Sequence, residues 1–107
     1  VVERLSDEKL IFDTFKYDKY GQVRLAVVNK LSDENLIFDT FKDDKDWNVR
    51  EAVVNKLTDE NLIYYFKDDD DLDVCKEVIK KLTDEKLIYS FKDDDLDVRK
   101  TVEDKLL

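Results

Sequence analysis

The sequence predicts an all-α protein, an α-solenoid (superhelix) of four stacked two-helix repeats that spans residues 1–107 as a single domain. Three observations predict it. One leucine-led segment recurs: LSDEKLIFDTFK from Leu5, LSDENLIFDTFK from Leu31, LTDENLIYYFK from Leu57 and LTDEKLIYSFK from Leu82. These leucines stand 26, 26 and 25 residues apart, and Leu106 follows after 24 more. Within each recurrence the apolar residues fall at helical spacing, and the alternation that marks a strand is absent.

The repeats run 6–31, 32–57, 58–82 and 83–106. Residues 1–5 (VVERL) match the end of a repeat, as in VVNKL at 27–31, so the chain is expected to open as the remnant of a preceding one. The first helix of each repeat is expected to start at Ser6, Ser32, Thr58 or Thr83, hydroxyls suited to an N-cap. Asp-Glu follows each time and opposes the positive end of the helix dipole. Leu36, Ile37, Thr40 and Phe41 then form one apolar stripe. In the third and fourth repeats this helix is expected to be one residue shorter. After an Asp-rich loop the second helix carries its own stripe, Val49, Ala52, Val53 and Leu57. Asp46, Asp71 and Asp95 are the expected N-caps, with Tyr20 departing from the rule in the first repeat. Helices of about ten residues, roughly 15 Å long, are marginal alone and must stack on their neighbours. At about 8–10 Å between packed helices the array would be roughly 40 Å long. Glu103 replaces the Val28, Val54 and Ile79 of its sibling repeats, as a capping repeat requires. Val1 and Val2 show no such adaptation, so the N-terminal end is expected to be a cut surface, covered by an earlier repeat or by another chain.

An Asp-rich loop, then Val-Arg, then Ala-Val-x-x-Leu resembles HEAT-like repeats, over essentially the whole chain. The 24–26 residue period is also similar to the leucine-rich-repeat variant, a related stacked-helix array. The resemblance implies that the Val and Leu are core and that the Arg pairs with loop carboxylates of a neighbouring repeat. That inter-repeat role falls on Arg24, Arg50 and Arg99, and Cys75 replaces the Arg in the third repeat. Pro is frequent in those families where this chain has Gly21, Trp47, Leu72 and Leu96.

Composition excludes several functions. The chain has 107 residues, 19 Lys+Arg against 28 Asp+Glu, a net charge of -9, no His and one Cys. Without His or a Cys cluster there is no His/Cys zinc site and no His general base. One Gly precludes a Gly-rich phosphate loop. A single Cys precludes an internal disulfide framework. No apolar run is long enough to span a membrane. A surface at -9 repels phosphate, so neither nucleic acid nor an anionic membrane is an expected partner. High charge often means disorder, but regular apolar spacing and 11 Phe and Tyr with one Trp favour a packed core.

The loops at 42–48, 67–73 and 92–97 carry the expected partner-binding residues: Asp43, Asp44, Asp69, Asp70 and Asp94, beside Trp47, Leu72 and Leu96. Repetition would line them up as an acidic edge dotted with apolar groups. Calcium would need six to eight oxygens, and the loops lack EF-hand spacing; no metal and no cofactor are expected. Phe12, Phe38, Tyr64 and Tyr89 are expected to pack between neighbouring first helices. Arg4, Lys30, Lys56, Lys81 and Lys105 are expected to complement helix C-termini and pair with the acids that follow. Cys75 has no base beside it and is not an expected nucleophile.

The expected function is a non-catalytic, cytoplasmic protein–protein interaction scaffold for a basic or mixed-charge polypeptide. The alternatives are an accessory subunit of a bilin-lyase-like HEAT-repeat enzyme, implied only by the resemblance, and an isolated repeat fragment with no activity of its own.

Overall fold

The computed structural model describes residues 2–91 and 95–107, and the side chains from residue 7 onward. These residues form eight α-helices and no strand: α1 (Val2–Phe15), α2 (Gly21–Lys30), α3 (Glu34–Phe41), α4 (Trp47–Lys56), α5 (Glu60–Tyr64), α6 (Leu72–Lys81), α7 (Glu85–Tyr89) and α8 (Leu96–Leu106). They belong to two compact units, Val1–Lys56 and Leu57–Leu107. In the first, α1 packs on α2, α3 on α4, and α2 lies along α4. In the second, α5 packs on α6, α7 on α8, and α6 lies along α8. Within each unit, therefore, the second helices of successive repeats are neighbours. No helix among the described residues is long and apolar enough to cross a membrane.

The first helices do not start on their hydroxyl residues. Asp33, Asp59 and Asp84 are the N-caps of α3, α5 and α7, and their carboxylates accept from Leu36, Asn61 and Lys86 N–H. Ser32 and Thr83 are held one residue earlier by a glutamate from the preceding repeat. Glu8 Oε1 accepts from Ser32 N–H and Oγ at 2.9 and 3.1 Å. Glu60 Oε1 accepts from Thr83 N–H at 2.8 Å and from Asp84 N–H at 3.1 Å, and its other oxygen takes the Thr83 hydroxyl. The donors freed where the chain leaves its helical path are thus satisfied from 23–24 residues upstream. In the first repeat the helical path is not broken at the hydroxyl residue. There α1 continues through Val2–Phe15, and Ser6 is an interior position rather than a helix start.

The one-residue deletion in the third and fourth repeats shortens the helix by more than one residue. The α-helix α3 has eight residues, whereas α5 and α7 have five. Beyond α5 the chain tightens: Tyr65, Phe66 and Lys67 N–H bond to the carbonyls of Leu62, Ile63 and Tyr64. At three residues per turn, Phe66 returns to the face of Ile63, as Phe41 returns to that of Ile37 four residues on. Phe41, Phe66 and Phe91 are all buried. The tighter turn keeps the ring in the core despite the missing residue.

The expected packing of the aromatic row is seen at Phe12 and at Tyr64. Phe12 meets Phe41 edge-on at 6.5 Å, and Tyr64 meets Phe91 edge-on at 6.2 Å. Tyr64 also donates its hydroxyl to Ser90 Oγ at 2.8 Å. Phe38 is half-buried and Tyr89 is exposed. Lys81 and Lys105 both reach backbone carbonyls. Lys81 Nζ donates to the Leu57 carbonyl at 2.6 Å, and Lys105 Nζ to that of Lys80 in the last turn of α6 at 2.5 Å. A cation there faces the negative end of the neighbouring helix.

Candidate functional site

The loops that lead into α4 and α6 are built from two aspartates in series, and those into α2 and α8 show one of the two. The first closes a turn: Asp18, Asp44 and Asp69 accept from the N–H two residues on, each at 2.9 Å. The second caps the next helix. Asp46 accepts from Asn48 N–H at 2.9 Å, Asp71 from Asp73 and Val74, and Asp95 from Asp97 at 2.8 Å. Tyr20 makes no side-chain cap for α2. Much of the acidic character that marks these loops therefore serves the backbone.

The two loops of the first unit are tied by a buried fork. Arg24 Nε and Nη2 donate to the two carboxylate oxygens of Asp44 at 2.8 and 2.9 Å, and both side chains are almost fully buried. Arg24 Nη1 donates to the Asp18 carbonyl at 2.6 Å. The hydrogen bond to Asp44 raises the guanidinium's pKa, against the opposing effect of burial, with Asp46 and Asp18 adding to the rise. Arg50 makes the same backbone bond, its Nη1 donating to the Asp44 carbonyl at 2.7 Å. Cys75 occupies the equivalent place, with its Sγ 2.9 Å from the Asp69 carbonyl. In all three repeats the side chain bonds the carbonyl six residues back, so Cys75 is a short neutral substitute for the Arg. Arg99 is exposed, and the carbonyl it would bond by this rule, at residue 93, lies outside the described residues.

The expected partner-binding residues divide accordingly. Asp44 is turned inward onto Arg24. Asp69 is half-buried in its turn. Asp43 and Asp70 are exposed, and Asp94 lies outside the described residues. Trp47, Leu72 and Leu96 are the first residues of α4, α6 and α8, at 38, 41 and 62% exposure. The first helical position tolerates any residue, since its N–H has no intrahelical partner. These side chains are therefore not required for the helix start. In the second unit a hollow of about 240 Å³ is lined by Lys67, Asp68, Leu72, Cys75, Asp95 and Val98.

One group of surface residues was not anticipated from the Asp-rich pattern. The first loop reads KYDKY at 16–20 and is not acidic. Tyr17 and Tyr20 are largely exposed, with Lys16 Nζ 5.3 Å from the Tyr17 ring centre and Lys19 Nζ 5.1 Å from that of Tyr20. The signal was legible as a departure from the sibling loops. The edge of the first unit is thus mixed in charge, and strong acidity belongs to the second.

Among the described residues no three Asp, Glu or Cys side chains converge as a metal site, and every buried side-chain N or O has a hydrogen-bond partner. Comparison of the chain with protein-family models, with curated proteins and with solved structures returned no match.

Proposed function

We propose that the chain is a non-catalytic docking scaffold whose HEAT-like repeats form one continuous α-solenoid over residues 1–107, and that its loop edge recognises a basic polypeptide segment in the cytoplasm. The observation that carries this reading is that exposed apolar residues at helix starts follow closely in sequence on exposed carboxylates: Trp47 four residues after Asp43, and Leu72 two after Asp70. None of these four side chains is needed to start its helix. Apolar anchors surrounded by charge are the usual anatomy of a recognition surface. The net charge of -9 favours a cationic partner through complementary encounter and disfavours nucleic acid. The sequence repetition supports continuity across the two units, because Val54 and Val74, on either side of the boundary, repeat Val28 and Val49 of the first unit.

Affinity capture from the native cell, with partners identified by mass spectrometry, tests this reading. A partner that elutes as salt is raised to about 0.5 M, where exposed charges are screened, and that is lost with Trp47→Ala/Leu72→Ala, supports it. Retention unaffected by salt and by both substitutions would reject it.

A further inference from the structure

We infer that the hollow between the first and second loops of the first unit binds a phosphate monoester, through Lys16, Lys19 and Lys45. The hollow has a volume of about 300 Å³. Four cations line it, these three lysines and Arg24, against two carboxylates, Asp18 and Asp44. Both oxygens of Asp44 are taken by Arg24, so that pair cancels. Asp18 Oδ1 accepts from Tyr20 N–H. Among the described residues none of the three lysines makes an ion pair with a carboxylate. Lys16 Nζ lies 4.6 Å from the centre of the Phe12 ring and 5.3 Å from that of Tyr17. Rings at this range position an ammonium group without neutralising it. Three lysines around one concavity thus create a local positive potential on a protein of net charge -9.

The sign comes from particular residues. Tyr17 stands where the second and third loops have Asp43 and Asp68, and Tyr20 where they have Asp46 and Asp71. Lys19 and Lys45 stand where the third loop has Asp70. The hollow beside Cys75 in the second unit has the opposite character: its described lining carries one lysine, Lys67, and three aspartates, Asp68, Asp69 and Asp95. Related loops in the two units therefore present opposite charge.

The ligand class follows from the lining. A phosphate monoester carries a charge of about -1.5 to -2 at pH 7, and its oxygens accept charge-assisted hydrogen bonds from ammonium groups. Thr40 adds a hydroxyl to the lining, and Tyr17, 80% exposed, offers an aromatic surface to whatever carries the phosphate. An extended polyanion would run on to Asp43, Asp46 and an acidic surface, whereas a single phosphate stays within the hollow. This inference does not rest on the loop-edge reading, which concerns a cationic partner at Trp47 and Leu72.

The test is an NMR titration of the isotope-labelled full chain at low salt. The probes are phenyl phosphate and a peptide bearing one phosphotyrosine, with phenol and the unphosphorylated peptide as controls. Saturable shifts are expected at the amides of residues 16–19 and 40–45 with the phosphorylated probes alone. Binding should weaken about tenfold in Lys19→Gln/Lys45→Gln, which removes two of the three charges. Tyr17→Asp, which restores the carboxylate of the sibling loops, should weaken it too and serves if the double variant does not fold. Lys30→Gln, outside the lining, should leave binding unchanged. Tighter binding of the peptide than of phenyl phosphate places the phosphate on a protein, and equal binding places it on a small molecule; either supports the site. Absence of saturation, equal response to the unphosphorylated controls, or binding indifferent to the lysine substitutions and to Tyr17→Asp would each overturn the inference.

Discussion

Arg24 grips both carboxylate oxygens of Asp44, 20 residues further along the chain, and spends its remaining nitrogen on the Asp18 carbonyl. One side chain thereby fixes two consecutive loops. Because both partners are almost fully buried, deleting one leaves the other charged and unpaired. Asp44→Ala is expected to destabilise the protein by about 3–5 kcal/mol, measured by urea unfolding. The pair Arg24→Met/Asp44→Ala should cost less than Asp44→Ala alone, because no lone charge remains.

Gly21→Ala is expected to destabilise, although Ala is the better helix former. A Cβ at residue 21 would lie 1.9 Å from Asp46 Oδ2 and 2.8 Å from its Cγ. The carboxylate would have to leave Asn48 N–H, and loss of an N-cap costs about 1 kcal/mol. In an Asp46→Ala background the same substitution should be nearly neutral. A double-mutant cycle on thermal unfolding measures the coupling.

Cys75 should resist thiol reagents in the native state, being buried with its Sγ against the Asp69 carbonyl. Reaction with a chromogenic disulfide is expected to be slow in buffer and complete in urea. Cys75→Val leaves that carbonyl without its donor and should cost about 1 kcal/mol, whereas Cys75→Ser keeps a donor and should cost less.

Glu60 gives the fold a specific acid sensitivity. Its bond to the Thr83 hydroxyl, then the N–H groups of Thr83 and Asp84, hold its pKa below the ordinary 4.5. A depressed carboxylate contributes stability that is fully present above that ordinary value and is lost as pH falls through the lower folded value. Glu60→Gln should therefore lower the melting temperature at pH 7 and flatten its fall below about pH 4.5. Equal slopes in the two proteins would contradict this.

Much of the fold was legible because the chain repeats its own instructions. Helical spacing in Leu36, Ile37 and Phe41 placed the first helices, and the Asp before each second helix named its cap at Asp46, Asp71 and Asp95. Two of the misses share one cause. Ser32 and Thr83 look like caps when read locally, but a glutamate from another repeat claims their donors and passes the cap to the next Asp. Ser6 carries the same local signal and stays inside α1. The deletion before Phe66 likewise changed the hydrogen-bond type rather than the length by one. At the candidate site, exposure of Trp47, Leu72 and Leu96 could be read from their place at a helix start. The inward turn of Asp44 could not be read from composition, since Asp43 beside it is identical in type and faces solvent. Only the position of Arg24 in the preceding repeat separates them.

Continuity of the repeats across the whole chain is the central claim, and spin-label distances test it most directly. Asn29, Asn55, Lys80 and Asp104 are equivalent, exposed positions near the ends of α2, α4, α6 and α8. Cysteine pairs at 29/80 and 29/104, in a Cys75→Ser background, should give separations of about 20 and 30 Å, stepping by roughly one helix-packing distance per repeat. A 29/104 separation no longer than that of 29/80 would contradict a continuous array.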